Sequence, residues 1–508
     1  MVRLIREWRG LLSLKDPTRV PGQVGQADAD VFATIQSRER DRTGVAALRN
    51  AVRESSRNPQ PVRAYEAALD RLCTLSALFE RELNTATSQN VAAISIQLGH
   101  ARTDVEAAKK QLSMREQQLL SAGREPLTVH QVSGLLRVGE GILGFRVTKW
   151  GTLAILLVRL DERHTAIATG GSLEANRTQL TASVAAIVGQ MSGGRSYADA
   201  VAKLGQLLDL HDLAPLLSRV DHLFVVPDGP LNNLPAHLLP IAGKSLYEYT
   251  ATSTLPTLSM LSAIRAVQRP DNHRNGVTAI GFPALNELPC SYPLADLPKS
   301  VKHRNVLCLG EPTGMDQLSH SLQAALGGPP PLLGAQATVR HALGGDYSQT
   351  GILLFATHAL VPPEPGFPQL TDAAIVLTPS ATDEADDGLL HASQIAMLDL
   401  QNIWISIIAA CRSGAPGQDD PEGFTSLGFA FIAAGSRSLL VSHWYVDSEA
   451  THQLLEYAIQ KMKSDTQLSA RKALRLAMLN ARDAHTVSVH DWGAFVLVGD
   501  GDRSLASH

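Results

Sequence analysis

The chain has 508 residues, of which 44% are hydrophobic and 19% charged, with a formal net charge of −4. That length predicts two or three domains, and that balance supplies enough apolar side chain for a sizeable core, which excludes wholesale disorder. The slight acidic excess excludes the strongly basic surface of most nucleic-acid-binding proteins, so no nucleic-acid partner is expected.

Residues 1–27 read as an irregular segment ending in Pro21-Gly22-Gln23-Val24-Gly25. Within it, Met1-Val2-Arg3-Leu4-Ile5-Arg6-Glu7-Trp8-Arg9 interrupts its apolar residues with charges too often for a signal peptide. From about 28 to 122 the pattern is helical, broken once at Asn58-Pro59-Gln60-Pro61 and closed by Ala122-Gly123. Leu69, Leu72, Leu75, Leu78 and Leu83 fall largely on one helical face, and a second, more polar helix is expected around Ala92 to Leu120. The pair predicts a helical hairpin that serves either as a structural layer or as a docking surface for a regulator. The longest apolar runs, such as Leu153 to Val158, fall far short of the ~20 residues a membrane helix needs. The four cysteines, Cys73, Cys290, Cys308 and Cys411, are scattered, with no CxxC pair and no histidine cluster at zinc-ligand spacing. A soluble, cytoplasmic protein in a reducing compartment is therefore expected, without membrane, metal or cofactor.

After Pro126 the texture changes. Gly144 to Leu160 alternates apolar and β-branched residues around Trp150-Gly151, which predicts a β-hairpin. Helical patterns follow at about 175 to 218, then a short strand at His222 to Val226 stopped by Pro227-Asp228-Gly229. Further strands are expected at Gly276 to Gly281, Asn305 to Gly310, Ile352 to Ala356, Ile403 to Ala409 and Ser438 to His443. Helices are expected between them, at 255–268, 315–326, 391–398, 422–435, 448–463 and 467–484. This alternation predicts an α/β fold with a mostly parallel sheet covered on both faces. The Pro-, Asp- and Thr-rich stretch 361–388 reads as a surface loop.

Two of these strands end on reactive side chains. Ile352 to Ala356 leads into Thr357-His358-Ala359, and Ile403 to Ala409 leads into Ala410-Cys411-Arg412-Ser413-Gly414. The C-terminal edge of a parallel sheet is where ligands bind in open α/β folds. A thiol attacks a carbonyl as thiolate, and an adjacent imidazole can take its proton and return it to the leaving amine. The backbone N–H groups of Ala359 and Cys411, or the turn at Ser413-Gly414, are the candidate oxyanion donors. Taken singly, Cys411 could equally be a buried structural thiol and His358 a hydrogen-bonded strand-end residue. Their pairing at strand ends, 53 residues apart, favours chemistry, because caspases separate the same two residues by about 50.

The C-terminal two-thirds, about 135 to 500, resembles the CHAT domain family of caspase-like peptidases related to separases. The resemblance rests on an ordered set of segments: Gly139-Glu140-Gly141-Ile142-Leu143-Gly144-Phe145, Pro227-Asp228-Gly229 through Leu234-Pro235, and Phe355-Ala356-Thr357-His358-Ala359. Asp387-Gly388-Leu389-Leu390, Ala409-Ala410-Cys411-Arg412-Ser413-Gly414, Gly423-Phe424 through Gly435-Ser436, Ser442-His443-Trp444-Tyr445-Val446-Asp447, Ala473 to Ala477 and Trp492 to Gly499 continue it. It implies a caspase-haemoglobinase-like α/β/α sandwich, with His358 as general base and Cys411 as nucleophile. Two residues depart from the family pattern. Arg412 stands where an acidic residue is common, which assigns it either to the substrate pocket or to solvent. His443 stands where Leu is usual. Asp447 reads as a helix cap, with the orienting of a site residue as the alternative.

The domain limits expected are an irregular segment 1–27, a helical region 28–125, and a protease domain 126–505. The last divides into a pseudo-caspase half at about 130–270 and a catalytic half at about 271–505. The function expected is that of an intracellular cysteine endopeptidase acting on a specific protein substrate, in the setting of bacterial defence or regulated cell death that the resemblance implies. A protein activator docking on helices 28–122 would be its partner. The alternative is a catalytically silent scaffold of the same fold. Transfer chemistry on a small molecule lacks a phosphate-loop or dinucleotide motif to support it.

Overall fold

The computed structural model describes residues 59–83, parts of 94–112, 129–149, 151–192, 195–266, 275–285, 314–362, 370, 372–379, 386–409, 426–444, 446–485 and 487–506. Helix α1 (Pro59–Leu83) begins where a break was expected. Pro59 and Pro61 sit in its first turn, where a missing N–H costs nothing and the fixed φ suits the helix, so they start it rather than interrupt one. Val62, Tyr65 and Leu69 pack with Val105 and Leu112 of the following helical stretch. Leu75 and Leu78 are only half-buried.

The principal further helices and strands follow in order: α2 (Val129–Leu135), β1 (Glu140–Thr148), β2 (Gly151–Arg159), β3 (Thr165–Ser172), α3 (Arg177–Ser192), α4 (Ala198–Leu208), β4 (His222–Val226), β5 (Ala251–Thr254), α5 (Leu258–Ala266), β6 (Val277–Pro283), α6 (Met315–Leu326) and β7 (Leu332–Gly334). Then come β8 (Ile352–Ala356), β9 (Ala359–Leu360), β10 (Ala374–Val376), β11 (Leu389–His391), β12 (Ile405–Ala409), α7 (Ser426–Ala434), β13 (Ser438–Ser442), α8 (Ser448–Ser464), α9 (Ala470–Ala484) and β14 (Phe495–Gly499). The expected strand at 305–310 lies outside the described residues.

Eleven of the described strands form one sheet in the order β3-β2-β1-β4-β5-β14-β13-β12-β8-β6-β7. The pairs β1–β4, β4–β5, β13–β12, β12–β8, β8–β6 and β6–β7 are parallel. The hairpin expected around Trp150-Gly151 is β1–β2, and β3, which the sequence pattern did not separate from its neighbours, extends it antiparallel. β8 and β12 are buried throughout, which is why they read as continuous apolar runs rather than alternating ones. Their alternation is resolved only in three dimensions. Ile352, Leu354, Ile405 and Ile407 face a core shared with α3, α4, α6, α8 and α9, whereas Leu353, Phe355 and Ile408 face one shared with α5 and α7. The result is an α/β/α sandwich. No described helix is long and apolar enough to cross a membrane.

At one edge of the sheet, charged groups are buried together. Glu140, 2% exposed, opens β1, and fully buried Asp500 follows β14. Arg265 of α5 grips both, donating to Glu140 Oε2 and Oε1 at 2.8 and 2.9 Å and to Asp500 Oδ1 at 2.8 Å. Arg437 donates to Asp500 Oδ2 at 2.8 Å, and Arg471 of α9 donates to Glu140 Oε1 at 3.0 Å and to His222 Nδ1 at 2.7 Å. With Nδ1 accepting, His222 is neutral and its Nε2–H donates to Ser253 Oγ at 2.8 Å. Burial pushes both carboxyls up, but His222 and Arg265 beside Glu140, and Arg265 and Arg437 beside Asp500, hold them well below the usual carboxylate range.

At the other edge, Pro227-Asp228-Gly229 is a structural plug. Asp228 is buried and accepts from the Val147 N–H at 2.6 Å, Gly229 takes φ +56°, and Leu231 and Leu234 enter the core. The loop then touches the end of β13. The Asn233 carbonyl binds the His443 ring, and the Gly493 carbonyl binds the His237 ring. Asp447 caps α8, accepting from the Ala450 N–H at 3.0 Å. Arg475 of α9 donates to the Tyr247 and Glu248 carbonyls at 2.6 and 2.9 Å.

Burial holds the His222 and His443 pKa values down to about 4, and holds His237 at about 3 with help from His443 nearby. An unfolded histidine titrates near 6.5. Between that pH and the folded values the unfolded chain binds more protons, so stability present above pH ~6.5 is lost as pH falls toward 4. The melting midpoint is therefore expected to drop steadily between pH 7 and 4.5, and His443→Leu should reduce that slope. A flat profile would contradict the buried neutral assignment. Glu140→Gln should cost about 3–5 kcal/mol in urea unfolding by leaving buried guanidinium groups uncompensated. Breaking the exposed Arg71–Asp104 pair with Asp104→Ala should cost no more than ~1 kcal/mol.

Candidate active site at the strand ends

β8 and β12 are adjacent and parallel, with Ile352 opposite Ile405 and Ala356 opposite Ala409. β13 continues the parallel block beyond β12. The C-terminal ends of all three strands therefore share one edge, the edge reached by the Asn233 loop. His358 is described and half-buried two residues past Ala356. Cys411 and Arg412, the expected nucleophile and pocket residue, lie outside the described residues, as do Cys290 and Cys308.

The backbone around His358 is held from two sides. Thr357, buried, donates its hydroxyl to the Val376 carbonyl at 2.6 Å, and the Val376 N–H donates to the His358 carbonyl at 2.9 Å. Ala359 and Leu360 then pair with Ile375 and Ala374 in a three-stranded side sheet, β9-β10-β11. This corrects the expectation of a surface loop over 361–388. Residues 373–377 are fully buried and form the middle of that sheet. Their apolar run, Ala373-Ala374-Ile375-Val376-Leu377, was the signal, masked by the polar residues on either side. The Asp-Gly-Leu-Leu segment closes the same sheet. Asp386 accepts from the Gly388 N–H at 3.1 Å and Asp387 from the Leu389 N–H at 3.0 Å. Gly388 has φ +77°, and a Cβ there would lie 2.6 Å from the Leu377 carbonyl oxygen. The motif thus acts at a distance, by fixing the strand that fixes the histidine.

Because His358 and Val376 form a hydrogen-bonded pair, Ala359 falls in the alternate, non-bonded position opposite Ile375. Its N–H consequently points away from β10, as an oxyanion donor at this position requires.

On the opposite flank stands β6, whose Gly281 pairs with Ala356. A Cβ at 281 would meet the Ala356 carbonyl oxygen at 2.3 Å, so only glycine lets the strands approach this closely. The next residue, Phe282, has φ +42° at a register shift against β7. An aromatic residue in the left-handed region is costly, and such strain gathers at sites that the surroundings over-determine. Sequence reasoning placed a strand here and did not single out Phe282. Gly281-Phe282-Pro283, a glycine and a proline bracketing an aromatic at a strand end, was the available clue. His443, at the end of β13, has a buried Nδ1 with no hydrogen-bond partner among the described residues. Among the described residues no group of three or more His, Cys, Asp or Glu side chains is placed to hold a metal ion.

Three comparisons bear on this arrangement. No curated protein matches the chain. Solved structures with a similar course include the Saccharomyces cerevisiae separase–securin complex, in two crystal structures at 3.0 and 2.6 Å resolution, each with 10% identity and a TM-score of 0.46 over 98% of this chain. The chain spans 40% of the length of that separase-complex chain. Another is a structure described as a protease, with 11% identity and a TM-score of 0.35 over 60% of this chain and 68% of its own. The CHAT domain family model matches residues 199–500, which include β4 through β14 and both strand ends. The match covers more than half of the sequence, and the chain belongs to the CHAT domain family.

Proposed function

We propose that the chain is a cysteine endopeptidase in which Cys411 is the nucleophile and His358 the general base. The observation that carries this reading is the parallel register of β8 and β12. Ala356 and Ala409 are directly opposed, and His358 and Cys411 each follow by two residues. Leu354 and Ile407, each two residues before those opposed alanines, face the same core. In the reaction, the imidazole takes the thiol proton, the sulfur attacks the scissile carbonyl, and the imidazolium returns the proton to the departing amine. Water then hydrolyses the thioester. The Ala359 N–H, already turned from its own ladder, and the Cys411 N–H hold the oxyanion.

In this reading residues 126–505 form the protease, and the helical region 28–125 carries the docking surface for a protein activator. Its substrate is one protein or a few, in defence or regulated cell death, with Arg412 beside the substrate pocket.

Alkylation by a peptidyl chloromethylketone, read by intact mass, tests the dyad. One adduct is expected on the wild type, none on Cys411→Ala, and a rate at least ~10³-fold lower on His358→Ala. Adducts shared among all four cysteines would sink the proposal and favour a scaffold. Gly281→Ala should displace the Ala356 carbonyl and slow the same alkylation by about 100-fold, because small misplacements at a reacting centre are costly. Its far-UV circular dichroism should match the wild type.

A further inference from the structure

The two edges of the eleven-stranded sheet differ in kind. At one, β7 is three residues long and its neighbourhood is tied back by Thr378, whose N–H binds the Ala337 carbonyl and whose hydroxyl binds the Gly334 carbonyl. At the other, β3 is eight residues long: Thr165-Ala166-Ile167-Ala168-Thr169-Gly170-Gly171-Ser172. It carries no charge and no proline, the two devices that usually blunt an exposed edge.

The direction of its free backbone groups can be read from its inner partner. Leu160 donates to the His164 carbonyl, so the pair 160–164 is hydrogen-bonded. Stepping by two along the same register, Ala166, Ala168 and Gly170 turn their backbone groups toward β2. Thr165, Ile167, Thr169 and Gly171 turn theirs outward, and among the described residues no backbone hydrogen bond meets them. Both faces of the strand are occupied. Ala168 packs against the core of α3 and α4, and Ile167 against that of α2 and α5. The edge itself has no partner among the described residues.

We infer that this edge is where two copies of the chain associate, β3 pairing antiparallel with β3 of the second copy about a two-fold axis. Antiparallel pairing needs outward residues opposite outward residues, which leaves two central registers. With Ala168 opposite itself, Glu162 would face Glu174 of the other copy, a like-charge contact. With Thr169 opposite itself, His164 faces Glu174 and Arg163 stands beside it. Arg163, His164 and Glu174 are all exposed, so charge selects the register centred on Thr169. Ala168, Gly170 and Gly171 offer no bulk to hold the second strand off. The pairing is isologous and, among the described strands of this sheet, leaves the two short β7 edges, so it closes as a dimer instead of growing into a fibre.

Sedimentation equilibrium of the full chain over a concentration series should show a monomer–dimer equilibrium. Thr169→Pro, which removes an outward N–H, should weaken dimerisation at least tenfold. Arg163→Glu should weaken it, and Arg163→Glu with Glu174→Arg should restore it, which a folding defect would not do. Mild oxidation of Thr169→Cys should give a disulfide-linked dimer absent from the wild type, since residues opposite each other in a hydrogen-bonded pair are ~5.5 Å apart at Cα, within disulfide reach. A monomer at every concentration overturns the inference. So does a dimer indifferent to these substitutions, or one that Thr169→Cys does not cross-link.

Discussion

The structure depends on three arginines closing around two carboxylates. Glu140 opens the first strand and Asp500 follows the last, and Arg265 holds both at hydrogen-bonding distance while Arg437 and Arg471 complete the ring. Burying this many charges is expensive, and a set of apolar side chains could fill the same volume at no smaller stability. What the charges add is register. A guanidinium that must satisfy two carboxylates from opposite ends of the sequence admits one arrangement of β1, α5, β14 and α9, whereas an oily contact would tolerate a slip.

That fixed frame reaches the other edge through the strands themselves. β13 runs from Arg437, inside the charged ring, to His443, beside the loop at Asn233. The next strands in the block, β12 and β8, end level with each other. Around His358 the site is then built from small, separate devices: a threonine hydroxyl, a side sheet closed by Asp386 and Asp387, and a glycine against the Ala356 carbonyl. None of these groups needs to meet a substrate. Each removes a freedom of the backbone that carries the imidazole, and together they give a motif spread over a hundred residues one local purpose.

Much of this was legible before any coordinates. Fully buried parallel strands announce themselves as short apolar runs, so β4, β6, β8, β12 and β13 were found within a residue or two, and their ends named the candidate dyad. The helices 315–326 and 448–464 followed from periodicity and, for the latter, from Asp447 as cap. The failures share a cause. β10 is three residues long and β5 four, too short for a period to show. Pro59 and Pro61 read as breakers in the sequence because proline has one meaning inside a helix and another at its start. The charged ring was invisible for a different reason. Its members lie up to 360 residues apart, between Glu140 and Asp500, and no local pattern distinguishes a glutamate that will be buried from one that will not.

The strand order carries a consequence for synthesis. β14, residues 495–499, is inserted between β5 and β13, where the two blocks of the sheet meet. The strand that joins the halves is thus among the last pieces of the described chain to leave the ribosome, and Asp500 follows it. Until then β5 has an open side, β13 has another, and Arg265 has only one of its two carboxylates. Translation supplies some 5–20 residues per second, so for many seconds the growing chain holds the histidine strand and the cysteine strand without the element that locks them to the rest. A truncated product that stops short of residue 495 carries both candidate residues and no closed sheet. Synthesis through residue 500 is itself the first checkpoint on the site.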